Sequence, residues 1–189
     1  GVLVDARGCP KDSDNDGIWT AMYGAGECFA YAATRNPLAK KRAHAAFAAL
    51  RFLGDVTQGG DHPAPNGFVA RTILPASGPD PNLSYTPERD RRTQQTRDAL
   101  WKVIVPRWPK SADGKWYWKS DTSSDELDGH YFFYANYFDL VAETDEERRA
   151  VQAHVRRLTD HLVDQGFNLV DHDGKATRWG VFAPEKRRN

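Results

Sequence analysis

Four carboxylates lie within eight residues, Asp121, Asp125, Glu126 and Asp128, and His130 follows them. Glu126, His130 and Tyr134 are spaced by four, so a helix would carry them on one side. Their neighbours include Leu127, Phe132, Phe133 and Tyr137. A polar stripe on an otherwise apolar helix needs hydrogen-bond partners or a cavity. If it borders a cavity, the carboxyl has chemistry to offer. Partly apolar surroundings disfavour its charged form and raise its pKa, which suits a general acid. A plainer account stands beside this one. Ser123 and Glu126 match a capping box, and Asp125 and Glu126 would then sit at the positive end of a helix. His130 would be a satisfied core histidine.

A second group is Asp12-Ser13-Asp14-Asn15-Asp16-Gly17. Alternating carboxylates ahead of a glycine can converge on one hard cation, so Asp12, Asp14 and Asp16 are candidate Ca2+ ligands. The position that should close such a loop is Tyr23, which has no carboxylate, so an EF-hand proper is not expected. The plainer account is an Asp-rich cap on the helix that follows. A third group is aromatic: Trp19, Tyr23, Trp116, Trp118, Tyr134 and Trp179. Flat rings bury the C–H faces of sugars at small entropic cost, and they also fill ordinary cores. Trp118 and Trp179 lie in polar stretches and are the stronger candidates for ligand contact. Arg71 and Arg178 complete the set, because a guanidinium can hold a carboxylate through two parallel bonds. His154 and His161, seven apart, read as surface residues of an outer helix, and the histidines as a whole form no zinc pattern.

These residues must be positioned by helices. Residues 18–35 carry Ile18, Met22, Ala25, Phe29 and Ala32 at helical spacing, with Trp19, Tyr23 and Ala30 on the other side. A helix apolar all round is expected to be enclosed. Asn36-Pro37 ends it and opens an amphipathic helix over 38–56, with Ala43, Ala46, Phe47, Leu50 and Leu53 on one stripe. Residues 67–74 read as a strand, 76–91 as a loop, 93–105 as a short helix and 110–120 as a loop. A second enclosed helix is expected over 123–142. A second capping box, Thr144 with Glu147, opens an amphipathic helix over 145–165. Residues 167–170 and 176–181 flank Asp173-Gly174, a hairpin signal.

The halves repeat. A spacing of 109 residues pairs Ala33 with Ala142, Phe29 with Phe138, Tyr23 with Phe132 and Leu53 with Leu162. Each half is an enclosed helix, a short link, an amphipathic helix and a strand-like segment. Such units stack because one alone cannot bury its apolar face.

The segments DNDGIWTAMYGAGECFAYAATRNPLAKKRAHAAF, GFVAR, WYWKSDTSSDELDGHYFFY and DHDGKATRWGVFAPE resemble the α/α-toroid, or six-hairpin glycosidase-like, domains of bacterial carbohydrate-active proteins. The resemblance covers most of residues 12–185. It implies a mainly α fold of repeated antiparallel helical hairpins with short β-hairpins in the connections. One domain spans 1–189, with repeats over about 12–74 and 121–182. A complete toroid needs roughly twice this length, so a partial toroid is expected, or one completed by a second chain or by self-association. The clan contains hydrolases, lyases and epimerases, so the resemblance speaks to fold more than to reaction. It implies a glycoside hydrolase first. Glu126 or Asp125 would be the general acid and Asp14 or Asp16 the base or nucleophile. Trp19, Tyr23, Arg71, Trp118, Asp121, Arg178 and Trp179 would hold the sugar. A polysaccharide lyase would instead use His130 or Tyr134 to abstract a proton beside a uronate carboxylate neutralised by Arg71 or Arg178. A non-catalytic sugar-binding or assembly module is the reading from another class. No cofactor is required by any of these, and an extracytoplasmic setting follows from the resemblance alone.

Composition narrows the classes. The chain has 189 residues, with 26 Lys+Arg against 26 Asp+Glu, so there is no net field to hold a nucleic acid. No apolar run approaches the ~18 residues of a membrane span, and residues 1–10 lack the pattern of a signal peptide. Aromatics at 12% favour a folded chain. Cys9 and Cys28 are too few for a disulfide scaffold, and two free thiols are expected rather than one bridge.

Overall fold

The computed structural model describes residues 4–184. Helix α1 (Asp16–Thr34) and helix α2 (Pro37–Asp55) form a first hairpin. Strand β1 (Ile73–Pro75), a 3-10 turn (Pro81–Ser84), helix α3 (Pro87–Thr96) and strand β2 (Trp116–Trp118) follow. A second hairpin is made by helix α4 (Ser124–Leu140) and helix α5 (Asp145–Asp164), followed by strands β3 (Asn168–Val170) and β4 (Ala176–Val181). The molecule is therefore mainly helical, with two small antiparallel sheets, β1 with β2 and β3 with β4.

Local chemistry sets the turns. Arg35 takes the left-handed conformation (φ 54°) and closes α1 by donating its N–H to Tyr31. Asn36 then caps α2, its side chain accepting from the Leu38 N–H, with Pro37 in the first turn. Thr144 and Glu147 form the expected capping box at the start of α5.

α1 and α4 lie side by side and run in the same direction. Gly17 faces Glu126 and His130, and Gly24 faces Phe133. At the far end, Tyr31 donates its hydroxyl to Glu143 at 2.5 Å. Small residues permit this closeness: a Cβ on Gly24 would stand 2.5 Å from the Phe133 ring. α2 and α5 make the outer layer, joined where Arg157 donates to Asp55 at 2.8 Å. Between the layers Phe47 stacks on Tyr137 with ring centres 4.9 Å apart, among buried Leu50, Phe133, Val151 and Leu158. Burying such side chains supplies roughly 1.5–3 kcal/mol each.

Several expectations need correction. α1 is not enclosed: Trp19 is 64% exposed, and Met22, Tyr23 and Phe29 are also exposed. Of the 67–74 segment only Ile73 and Leu74 are strand, the first two residues of β1, whose partner is the Trp116–Trp118 run read as loop. The helix expected over 93–105 lies earlier, over Pro87–Thr96, because Thr86 caps it and Pro87 fits its first turn. His154 and His161 are buried, since their side of α5 packs against α2 and the Asn66–Phe68 segment. Cys9 is exposed, Cys28 is buried, and neither is in a disulfide. Among the described residues no helix is long and apolar enough to cross a membrane.

Candidate functional site

The starts of α1 and α4 meet in a seam. Gly17, the second residue of α1, sits against α4 with no side chain between. A Cβ there would lie 2.2 Å from Glu126 Oε2 and 2.8 Å from His130 Nε2. Glu126 Oε2 accepts from the Ile18 N–H at 3.0 Å, satisfying one of the free donors at the start of α1. So Glu126 caps the neighbouring helix, not its own. Ser123 makes no side-chain cap, and its buried hydroxyl has no partner. Glu126 and His130 are both fully buried, as is Tyr134 at 1% exposure. Burial pushes the Glu126 carboxyl up to about 8, so it is mostly protonated at neutral pH. Burial, with His154 second, pushes His130 down to about 3. His130 Nδ1 and the Tyr134 hydroxyl are 2.8 Å apart, and that hydroxyl lies 2.9 Å from His154 Nε2. Glu126 Oε1 and His130 Nε2 have no hydrogen-bond partner.

The Asp-rich segment forms an ion network beside this seam. Lys119 Nζ lies 2.6 Å from both Asp12 Oδ2 and Asp14 Oδ1. Arg71 donates to the Asp14 carbonyl, the Asn15 side chain and the Asp121 carbonyl. Burial works to raise the Asp14 carboxyl, but Lys119 and Arg71 outweigh it and hold it below its ordinary value. Asp16 turns inward, accepting from Ser13, Thr72 and the Ile73 N–H, and so ties α1 to β1. The three carboxylates therefore do not converge as Ca2+ ligands. The ammonium of Lys119 supplies the positive charge between two of them, and the third is already satisfied. Among the described residues no group of three or more His, Cys, Asp or Glu is arranged to hold a metal ion.

A third layer links the loops to the start of α4. Asp121, at φ 61°, donates its N–H to Asp171 Oδ2 at 2.7 Å and accepts from the Arg178 N–H at 2.9 Å. Arg107 lies 3.1 Å from Asp90 and 3.5 Å from Asp121, and all three are buried. Arg178 pairs with Asp98 at 2.6 Å and covers the Trp179 ring at 4.3 Å. Burial pushes Asp171 up to about 6. Lys119, Arg107, Asp90 and Asp171 carry this geometry but no local sequence motif marks them. Their charged partners lie well outside their own stretch, from 17 positions for Arg107 and Asp90 to 107 for Lys119 and Asp12. Only the Asp171-His172-Asp173-Gly174 turn gives a signal, and it reads as a hairpin.

Of the residues named from sequence, the seam collects Glu126, His130 and Tyr134, with Arg71, Asp14 and Asp16 against it. Asp125 is exposed one residue from Glu126, and Trp19 is exposed one residue from Ile18. Tyr23 is also exposed, one turn further along α1, and lines a shallow groove of about 550 Å³ with Met22, Leu38 and Arg42. Trp118, expected to meet ligand, is fully buried against Phe68 and His172 because its strand pairs with β1. Asp121 is likewise buried as a hub of backbone contacts. Trp179 is half exposed beside Arg178. A larger groove, about 1170 Å³, lies elsewhere, between α4 and α5, with Tyr131 and Phe138 among its lining residues. Compared with known proteins, the chain matches no family model, no curated protein and no solved structure.

Proposed function

We propose that this chain is a carbohydrate-recognising domain of partial α/α-toroid type, with sugar held at the rim formed by the starts of α1 and α4. The observation that carries the reading is the 64% exposure of Trp19, the residue after the Ile18 whose N–H meets Glu126. An exposed indole is a flat apolar plate suited to a sugar's C–H face. Exposed Asp125, next to Glu126 in the chain, supplies an acceptor for hydroxyl groups. The fixed Arg71 network below gives the rim a rigid floor, which lowers the entropic cost of binding. Lyase chemistry is disfavoured by the same geometry. His130 and Tyr134 are sealed, and Arg71 is committed to four acceptors on Asp14, Asn15 and Asp121.

Hydrolysis is the second reading, and one fact favours it. Glu126 is a carboxyl kept protonated near neutral pH, as a general acid must be. It would require the Ile18–Trp19 turn to move and uncover Glu126, and a second carboxylate across the sugar, for which Asp14 is the candidate.

Calorimetric titration with neutral and uronate oligosaccharides tests the first reading. Trp19→Ala should weaken binding about tenfold, near the worth of one aromatic platform, with circular dichroism unchanged. Failure of every glycan to bind, or equal binding by Trp19→Ala, defeats it. Release of reducing ends that disappears in Glu126→Gln would put the hydrolase reading in its place.

A further inference from the structure

A hydrogen-bonded chain crosses the bundle from its outer face to the seam. Asp55 on α2 accepts from Arg157 on α5 at 2.8 Å. The same Arg157 Nη2 lies 3.1 Å from His154 Nδ1. His154 Nε2 lies 2.9 Å from the Tyr134 hydroxyl, which lies 2.8 Å from His130 Nδ1. Gly54 makes room for the outer half: a Cβ there would stand 3.0 Å from Arg157 Nη2 and 3.2 Å from His154 Cε1.

The direction of every bond in this chain is forced from its outer end. A guanidinium has only donors and does not deprotonate. His154 Nδ1 must therefore accept. Both imidazoles are neutral, since burial keeps their charged forms out of reach at neutral pH. A neutral imidazole that accepts at Nδ1 carries its proton at Nε2. His154 thus donates to the Tyr134 oxygen. The Tyr134 proton is then free for one acceptor, and His130 Nδ1 is the one in reach. His130 must in turn carry its own proton at Nε2, the nitrogen that faces Gly17 and Glu126.

We propose that Asp55 and Arg157 are positioning residues that, through His154 and Tyr134, fix His130 as the Nε2–H tautomer and present a hydrogen-bond donor to the α1–α4 seam. Any group that reaches the seam meets a donor at His130, not a base. The proposal does not rest on the sugar reading, because it concerns only protons within the chain.

Long-range 1H–15N correlation spectra of the histidine rings at neutral pH read the tautomers directly. In the unaltered protein, His130 and His154 should both show a protonated Nε2 and an unprotonated Nδ1. Arg157→Met removes the donor that sets the direction, so the ring nitrogens of both should shift toward the average of the two tautomers. Arg157→Lys, which keeps a donor, should restore the original pattern. Tyr134→Phe cuts the chain in the middle: His130 should lose its preference while His154 keeps it. A protonated His130 Nδ1 in the unaltered protein overturns the proposal without any variant. So does a His130 that is unmoved in folded Arg157→Met. If Arg157→Met does not fold, Tyr134→Phe decides, and an unchanged His130 there is equally fatal.

Discussion

Glu126 is the residue where burial and charge compete most openly. Its ordinary pKa of 4.5 is pushed up to about 8 by burial, against the lowering effect of the Ile18 N–H and Arg71. Folding therefore takes up a proton between those two values. The protonated form is the one the fold accepts, so this contribution is full below 4.5 and is lost as pH rises toward about 8. His130 and His154 act in the opposite sense, being pushed from 6.5 down to about 3 and about 4, and they favour the folded state as pH rises to 6.5. Above 6.5 the histidines of the unfolded chain are still losing protons, equally in the unaltered protein and in Glu126→Gln, while Glu126 titrates only in the former. Urea unfolding should then show the unaltered protein losing about 1–2 kcal/mol relative to Glu126→Gln between pH ~6.5 and ~8. Equal slopes in the two proteins would mean that Glu126 is ionised in the folded state. The four-residue spacing of Glu126, His130 and Tyr134 was enough to mark a polar stripe on an apolar helix. Whether that stripe faced a cavity or a neighbouring backbone was not readable, because the decisive contact is a glycine, Gly17, 109 positions away.

Two similar capping patterns behave differently at the element scale. Thr144 and Glu147 cap α5 reciprocally, while Ser123 and Glu126 do not cap α4. The cause is a competitor: the Ile18 N–H, 108 residues distant, takes the Glu126 carboxyl. Thr144→Ala should cost about 1 kcal/mol, the usual worth of a lost cap. Ser123→Ala should change stability by no more than about 0.5 kcal/mol, since it removes a buried hydroxyl that has no partner. Thermal or urea unfolding of the two variants compares them directly, and a larger loss for Ser123→Ala would show that its hydroxyl caps α4 in solution. The same contrast explains which elements were legible. The four long helices follow from apolar spacing and terminal residues within their own stretch. The β1–β2 pair does not, because Ile73 meets Trp118 only after the whole 76–115 connection has been placed. The enclosure expected for α1 failed for a related reason. Apolar residues all round show that a helix can be covered, and the described residues cover one side of it.

At the scale of the whole molecule, the long connection between the hairpins buries Phe68, Trp108, Tyr117 and Trp118, but its helix adds no apolar side chain to that core. α3 buries only Asp90 among its ten residues. What fastens α3 within the connection is charge. Arg107, 2% exposed, bridges Asp90 of α3 and Asp121 at the entry to α4, and its guanidinium also lies over the Trp101 ring at 4.7 Å. Asp121 in turn is bonded to Asp171 and Arg178, which belong to the β3–β4 end of the chain. One buried cation thus joins three stretches that are distant in sequence. Breaking such a pair from one side costs more than the pair itself contributes, because the remaining charges stay buried without compensation. Arg107→Met keeps much of the side-chain bulk but leaves Asp90 and Asp121 facing each other's region without the guanidinium. It should destabilise the protein by about 3–5 kcal/mol. Adding Asp90→Asn should recover part of that loss, since it removes one of the stranded charges, whereas simple loss of packing would make the double variant no better than the single. Urea unfolding of the single and double variants distinguishes the two. A loss under about 1 kcal/mol, the range of a surface ion pair, would mean that α3 is held by something other than this buried charge.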